Sequence, residues 1–538
     1  MQSHQDEIDD LYDRMVKVRD RMAKKLGYKN YVELAYMLQC RFDYKQEDVA
    51  NYRRQVLEDV VPLCNALYER QRERLGYDRL HVYDEKYEFA SGNPTPKYDT
   101  QEMIARANTM YHELDERCGT FFDFMVEHDL LDLDSKKGKA GGGYCTVFAE
   151  DRSPFIFSNF NKTSHDAEVL THEAGHAFQV FTSMGIRPVE CIWPTYESCE
   201  IHSMSMEFFT WPWMETFFEE DADKYRFLHL GGAAKFIPYG VLVDHFQHEV
   251  YEHPEMTPAE RRQTWRRLEK QYLPHKDYTD CEFLENGGWW FRQSHIFMTP
   301  FYYIDYALAQ ICAFQFFERS KKEPEKAWGD YYRLCQAGGS KGYFALLELA
   351  GLKNPFVDGT VEEVVAGLKP YLKRKVKYTI RPVKDEDLKK VAEVEALCFP
   401  AAEAAGYEDF MERYKTCKNS FFVAETEDGE IAGFCNGCCA DTDYLADALY
   451  HDATLHNPDG DYQMIFGLDV NPKFQKQGIG EALMRHMVKS AGERDKKAVV
   501  LTCKDHMIPF YKRIGYEYIE LSDSTHGGAK WHKMMYRF

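Results

Sequence analysis

THEAGHAFQV, residues 171–180, sets two histidines four positions apart with a glutamate directly behind the first. On an α-helix, residues four apart lie one turn above each other. His172 and His176 can therefore aim two imidazoles at one metal ion. Glu173 sits about 100° round the helix from His172, off the ligand face but within reach of a metal-bound water. A zinc site needs a third protein ligand and keeps its fourth position open for water or substrate. Two exposed histidines on a solvated face would give the same spacing, so a second element has to decide.

That element is YESCEIHSMSMEFF (196–209), a helical run with Glu200 and, seven positions on along the same face, Glu207. A helix with carboxylates among Met and Phe must bury charge, which is costly without a cation or partner. Glu200 as third ligand removes that conflict. Upstream, GGGYCTVF (141–148) and PFIFSNF (154–160) have the texture of strands. Elsewhere from Asp6 to about Leu372 the pattern is helical, as in ANYRRQVLEDVVPLCNALYERQRERLG (50–76) and PAERRQTWRRLEKQYL (258–273), where apolar residues recur at three- and four-residue spacing.

HEAGH followed by EIHSMSMEFF, with the preceding PFIFSNFNKTSHDAEVLTHEAGHAF, resembles the thimet-oligopeptidase/oligoendopeptidase F family of zinc peptidases over roughly residues 6–370. The resemblance implies a mainly α catalytic domain acting on short peptides in a channel between helical lobes. It implies His172, His176 and Glu200 as zinc ligands and Glu173 as general base. In SHIFMTPFYYIDYALAQ (294–310) it implies His295 and Tyr306 as catalytic donors and Tyr302 as a substrate contact. Asp166, Glu197 and Glu207 are equal candidates for orienting the ligand imidazoles. The chain starts at a point well inside a typical member, so we expect a more open channel, a wall supplied by another polypeptide, or weakened hydrolysis.

At 538 residues the chain is long enough for two to four domains, and 44% hydrophobic content makes it globular. We expect a helical peptidase domain at 1–375 and an α/β domain at 376–538. The boundary lies near Lys375, where KPYLKRKVKYTIRP (369–382) gives way to apolar runs alternating with helical segments. A net charge of −21 makes nucleic acid a poor partner. The acidic, polar N-terminus MQSHQDEIDDLYDR carries no secretory pattern. The longest apolar stretch, IFMTPFYYIDYALAQICAFQFF (296–317), is interrupted by Pro300, Asp305 and Gln310, so it reads as a buried helix and not a membrane span. Fifteen scattered cysteines read as reduced thiols of a cytoplasmic protein, and Cys435, Cys438 and Cys439 as buried strand residues.

In the last third, NPKFQKQGIGEALMRHMVKSA (471–491) follows the strand-like QMIFGLDV (463–470) and opens a helix. Glycines there let backbone N–H groups approach a pyrophosphate at a helix N-terminus. With AVVLTCKDHMIPFYKRIGYEYIE (498–520) and YTIRPVKDEDLKKVAEVEALCFP (378–400), residues 376–538 resemble the GNAT superfamily of N-acetyltransferases, most nearly the arylalkylamine (serotonin-type) enzymes. The resemblance implies acetyl-CoA in a cleft beside Phe466–Val470, touching Leu468 and Val470. Its pyrophosphate would lie on Gln475, Lys476, Gln477, Gly478, Ile479 and Gly480, and Tyr511 would protonate the departing thiolate. The histidines that animal relatives use as base are replaced by Met464 and Phe466, leaving His456, His506, His526 or a water chain. The expected whole is a zinc oligopeptidase fused to an acetyltransferase acting on a small amine; the alternative is chiefly an acetyltransferase with a truncated, peptide-binding, weakly active or inactive first half.

Overall fold

The structure, a computed structural model, describes residues 1–372, 377–399, 404–426, 429–445, 448–475, 477–522 and 530–538. The chain folds as two compact units, Met1–Lys373 and Arg374–Phe538. The boundary expected at Lys375, with Lys476 and His526, falls outside the described residues.

The first unit is helical around a small sheet of β1 (Leu131–Asp134), β2 (Tyr144–Phe148) and β3 (Ser153–Phe160), in the order β1-β3-β2. The stretches expected as strands form β2 and β3; β1, in the short LDLD, was not foreseen. In β3 every second residue from Pro154 to Phe160 is buried, the period of a strand with one face on the core. The chain then turns at Lys162, which has a positive φ of 66°, into α1 (Ser164–Ser183). The Asp166 carboxylate accepts the backbone N–H groups of Asn161 and Lys162 and so fixes this turn.

Three further helices build the site: α2 (Tyr196–Phe209), α3 (Ala222–Glu252) and α4 (Ile304–Lys322). α2 packs against both α1 and α4 and is buried on nearly every side, from Glu197 to Phe209. The close fit of α1 to α2 depends on Gly175. A Cβ there would lie 2.7 Å from Ser203 Cα and 2.8 Å from His202 O. The apolar stretch 296–317 is not one helix. A short turn of helix ends at Met298, and α4 begins only at Ile304. Between them Pro300 precedes a buried Phe301 with a φ of 68°, a left-handed conformation that helices do not continue through. No described helix is long and apolar enough to cross a membrane.

The second unit is a seven-stranded sheet of β4 (Tyr378–Pro382), β5 (Phe421–Thr426), β6 (Ile431–Ala440), β7 (Tyr462–Val470), β8 (Ala498–Cys503), β9 (Glu517–Leu521) and β10 (His532–Arg537). Its order is β4-β5-β6-β7-β8-β10-β9. Helices α5 (Leu388–Cys398) and α6 (Tyr407–Cys417) pack with one face, through Val391, Phe410, Val423 and Phe434. α7 (Ile479–Gly492) and α8 (Ile508–Ile514) pack with the other, through Leu483, Met487, Val499 and Tyr511. Neighbouring strands are antiparallel except β7 and β8, which α7 joins by a crossover. All ten residues of β6 are buried, and Cys435, Cys438 and Cys439 in it are free thiols.

Candidate active sites

α1 presents His172 and His176, and α2 presents Glu200 between them. Glu200 Oε2 lies 3.4 Å from each of the two Nε2 atoms. The ligand atoms of the three side chains all lie within 4.8 Å of one another. Two atoms bound about 2.0–2.1 Å from one tetrahedral zinc would be roughly 3.4 Å apart. Two imidazole nitrogens and a carboxylate oxygen are also a donor set that zinc favours. Glu200 is 2% exposed, and its neighbours besides the two histidines are neutral hydroxyls of Ser203 and Tyr302, so a cation would offset the cost of its buried charge. The residues fit the ion.

Around these three, the hydrogen bonds separate the orienting candidates. His172 Nδ1–H donates to Glu207 Oε1 at 2.6 Å, and the other Glu207 oxygen accepts from His229 Nε2 at 2.5 Å. Trp211 Nε1–H donates to His229 Nδ1 at 3.0 Å, which fixes the proton of that ring on Nε2. Burial would raise the Glu207 carboxyl, but the bonds to His172 and His229 bring it down to about 2. Asp166 is occupied with the turn before α1, and Glu197 accepts from Thr195 Oγ1 at 2.9 Å. Of the three, Glu207 is the one that touches a ligand imidazole.

Glu173 is buried, and its Oε2 has no hydrogen-bond partner. Burial raises its carboxyl above the usual range, with the His172 and His176 rings acting in the opposite direction. It opens, with His172, His176 and Glu200, onto a cavity of about 940 Å³ whose walls include Tyr144, Trp193, Tyr196, Tyr302 and Tyr306. Tyr302 OH donates to Glu200 Oε1 at 2.6 Å, and the Tyr306 ring lies tilted beside it, centroids 5.0 Å apart. His295 lies half-buried against Tyr302 and Tyr303, with Nδ1 2.7 Å from Gln293 Nε2, and does not line the cavity.

This tyrosine segment is held from a distance. Arg41, fully enclosed, donates through Nη2 to Phe301 O at 2.6 Å and to Asp305 Oδ1 at 2.7 Å, and Gln247 Oε1 accepts from Phe301 N–H at 2.9 Å. Neither residue was singled out in the sequence, because no motif links Arg41 to a loop 260 residues later.

In the second unit, β7 pairs with β8 only from Tyr462 to Met464. Beyond Met464 this pairing stops, which leaves the β8-side edge of β7 unpaired at Leu468 and Val470. α7 begins behind Gly478, whose φ of 85° suits glycine and whose missing Cβ faces open space. Gln475 Nε2 donates back to Val470 O at 3.1 Å. A Cβ on Gly480 would come within 3.5 Å of Val470, so the helix start lies against the end of the strand. Gln477 and Ile479 flank these glycines. Tyr511 of α8 is buried beside Phe510, and burial pushes its hydroxyl up. Met464 is core, and Phe466 packs on Tyr450. His456 accepts Cys439 N–H at Nδ1, while His506 is exposed.

Comparison with known proteins follows this division. Residues 1–365 match Peptidase family M3, and residues 388–516 match the Acetyltransferase (GNAT) family. A crystal structure of PZ peptidase A with an inhibitor is 56% identical over 69% of this chain and 66% of its own, with a TM-score of 0.68. A protein assigned as oligoendopeptidase F from Bacillus anthracis is 53% identical over 69% of this chain and 64% of its own, at a TM-score of 0.63. The chain thus spans just under two thirds of the length of these peptidases. The serotonin N-acetyltransferase of Mesocricetus auratus is 27% identical over 112 residues, 21% of this chain and 53% of that protein. With the M3 match running through more than half of its residues, the chain belongs to peptidase family M3 and carries a GNAT acetyltransferase domain after it.

Proposed function

We propose that the chain is a bifunctional enzyme. Its first unit hydrolyses short peptides with zinc held by His172, His176 and Glu200; its second transfers an acetyl group from acetyl-CoA to an amine. One observation carries the first half: two imidazoles and a buried carboxylate converge in a cavity where Glu173 keeps an oxygen uncommitted. Bound there, zinc would supply Lewis acidity, activating water and polarising a peptide carbonyl. Glu173 takes the proton of the attacking water and delivers it to the leaving amine. Tyr306 stands on the cavity wall as donor to the developing oxyanion, and Tyr302, whose hydroxyl proton goes to Glu200, as a substrate contact, with His295 packed behind Tyr302. Glu207 holds the His172 ring and its tautomer.

For the second half, the open edge of β7 at Leu468 and Val470 would bind the pantetheine arm. Gln475 and the segment from Gln477 to Gly480 would offer backbone N–H groups to the pyrophosphate. Tyr511 gives its proton to the CoA sulfur.

The test is zinc analysis and cleavage of a quenched short peptide by the full chain and by Glu173→Gln. The variant should keep its zinc and lose about 10²- to 10⁴-fold in kcat. Cleavage that survives the substitution removes Glu173 as base. Acetyl-CoA binding measured by calorimetry tests the second half, and absence of binding removes it. The alternative is a chiefly acetylating protein whose first unit binds peptide without cutting it. Zinc bound with no peptide cut would favour it.

A further inference from the structure

The acetyltransferase unit buries, at one place, polar atoms that have no hydrogen-bond partner. Asn436 of β6 is 1% exposed, and neither its Nδ2 nor its Oδ1 has a hydrogen-bond partner. Asp469 of β7 is 2% exposed, and its Oδ2 is likewise without one. The two face the same spot. A Cβ on Gly467 would lie 3.2 Å from Asp469 Oδ2 and 3.7 Å from Asn436 Oδ1, so both oxygens lie over the bare face of this glycine. Buried groups of this kind are costly to leave unpaired and call for a ligand, water or chemical role.

Glu395 of α5 lies against Asp469. Burial first, then the charge of Glu395, raises the Asp469 carboxyl, and burial raises Glu395. Two carboxyls so placed hold one proton between them and carry one net negative charge. The position in the sheet matters as much. Asp469 stands beyond the point where β7 leaves β8, between Leu468 and Val470.

We propose that Asp469, with Asn436 and Glu395 beside it, forms the acceptor site for a primary ammonium group, and that Asp469 is the base of acetyl transfer. This assignment rests on the acetyltransferase reading above. The pair's single negative charge suits a cation, and Asn436 Oδ1 accepts a second N–H. The ammonium gives one proton to the Asp469 carboxylate. The freed lone pair forms the C–N bond to the acetyl carbon, and the C–S bond breaks with its electron pair going to sulfur, which takes a proton from Tyr511. The nitrogen loses its second proton as the amide forms, and a proton restores Tyr511 through solvent. One proton leaves per turnover, from Asp469.

The experiment uses the full chain, acetyl-CoA, and phenethylamine and putrescine as acceptors, followed by thiol release across pH. Asp469→Asn should bind acetyl-CoA as the unaltered chain does and lose about 100-fold or more in kcat. Glu395→Gln should move the acid limb of kcat/KM to lower pH, because removal of the neighbouring charge lets Asp469 ionise sooner. The groups that bear on this limb are Glu395 and Cys398 of α5, Arg413 and Asp409 of α6 through Glu395, Asn436 of β6 and Tyr511 of α8. A purely structural carboxyl would leave the limb in place. An Asp469→Asn variant with kcat within threefold, or an unmoved limb in Glu395→Gln, overturns the proposal. So does an unaltered chain that binds acetyl-CoA and acetylates neither amine. A chain that fails to bind acetyl-CoA overturns the acetyltransferase reading itself.

Discussion

At the scale of single residues, the sharpest result is the division of labour among carboxylates. Three acids were equivalent in the sequence as supports for the ligand imidazoles: Asp166, Glu197 and Glu207. Folding commits Asp166 to backbone N–H groups and Glu197 to Thr195, and leaves Glu207 bridging His172 and His229. The distinction was illegible beforehand because it depends on His229, on another helix. Glu207→Gln keeps the shape of the side chain but removes the charge that holds the His172 proton. Zinc affinity should fall about 10- to 100-fold, a common effect for such partners. Competition with a chelating dye measures it, and excess zinc should restore peptide cleavage. Unchanged affinity would mean that the Glu207 bond leaves the metal untouched.

Between elements, the HExxH helix and the Glu200 helix meet through a residue that carries no chemistry. Gly175 sits inside HEAGH, yet its role is visible only once Ser203 Cα is found 2.7 Å from where its Cβ would be. The obstacle is backbone and cannot rotate away. Gly175→Ala should force α1 from α2, costing about 1–3 kcal/mol as an overpacked contact. It should also weaken zinc binding, since Glu200 lies less than one turn from Ser203. Thermal unfolding and zinc content report the two effects. Gly185→Ala is the control, because nothing lies within 4 Å of its Cβ position. The same scale shows where sequence patterns suffice. The runs 421–426, 431–440 and 498–503 are strands as their apolar character indicates. HKMMYR lacks that signal and becomes β10 because it finds partners on both sides, β8 and β9. The apolar stretch at 296–317 misleads for a related reason: its break at Phe301 is held by Arg41 and Gln247, which no local window contains.

At the scale of the whole molecule, the change from a helical texture to an α/β one was the legible feature, because a helical period of 3.6 and a strand period of 2 are not confused over long stretches. Each unit has its own core, and each site is assembled from the residues of one unit. This argues for separate ligand responses. A chelator should abolish peptide cleavage and leave acetyl-CoA affinity within about twofold, the tolerance expected for independent sites. In calorimetry the full chain should unfold in more than one step. Zinc removal should lower one transition and saturating acetyl-CoA should raise another, because a ligand stabilises only the unit that binds it. One cooperative transition displaced by both ligands would show instead that the two activities share a folding unit, and the fusion would then be a coupled enzyme and not two enzymes on one chain.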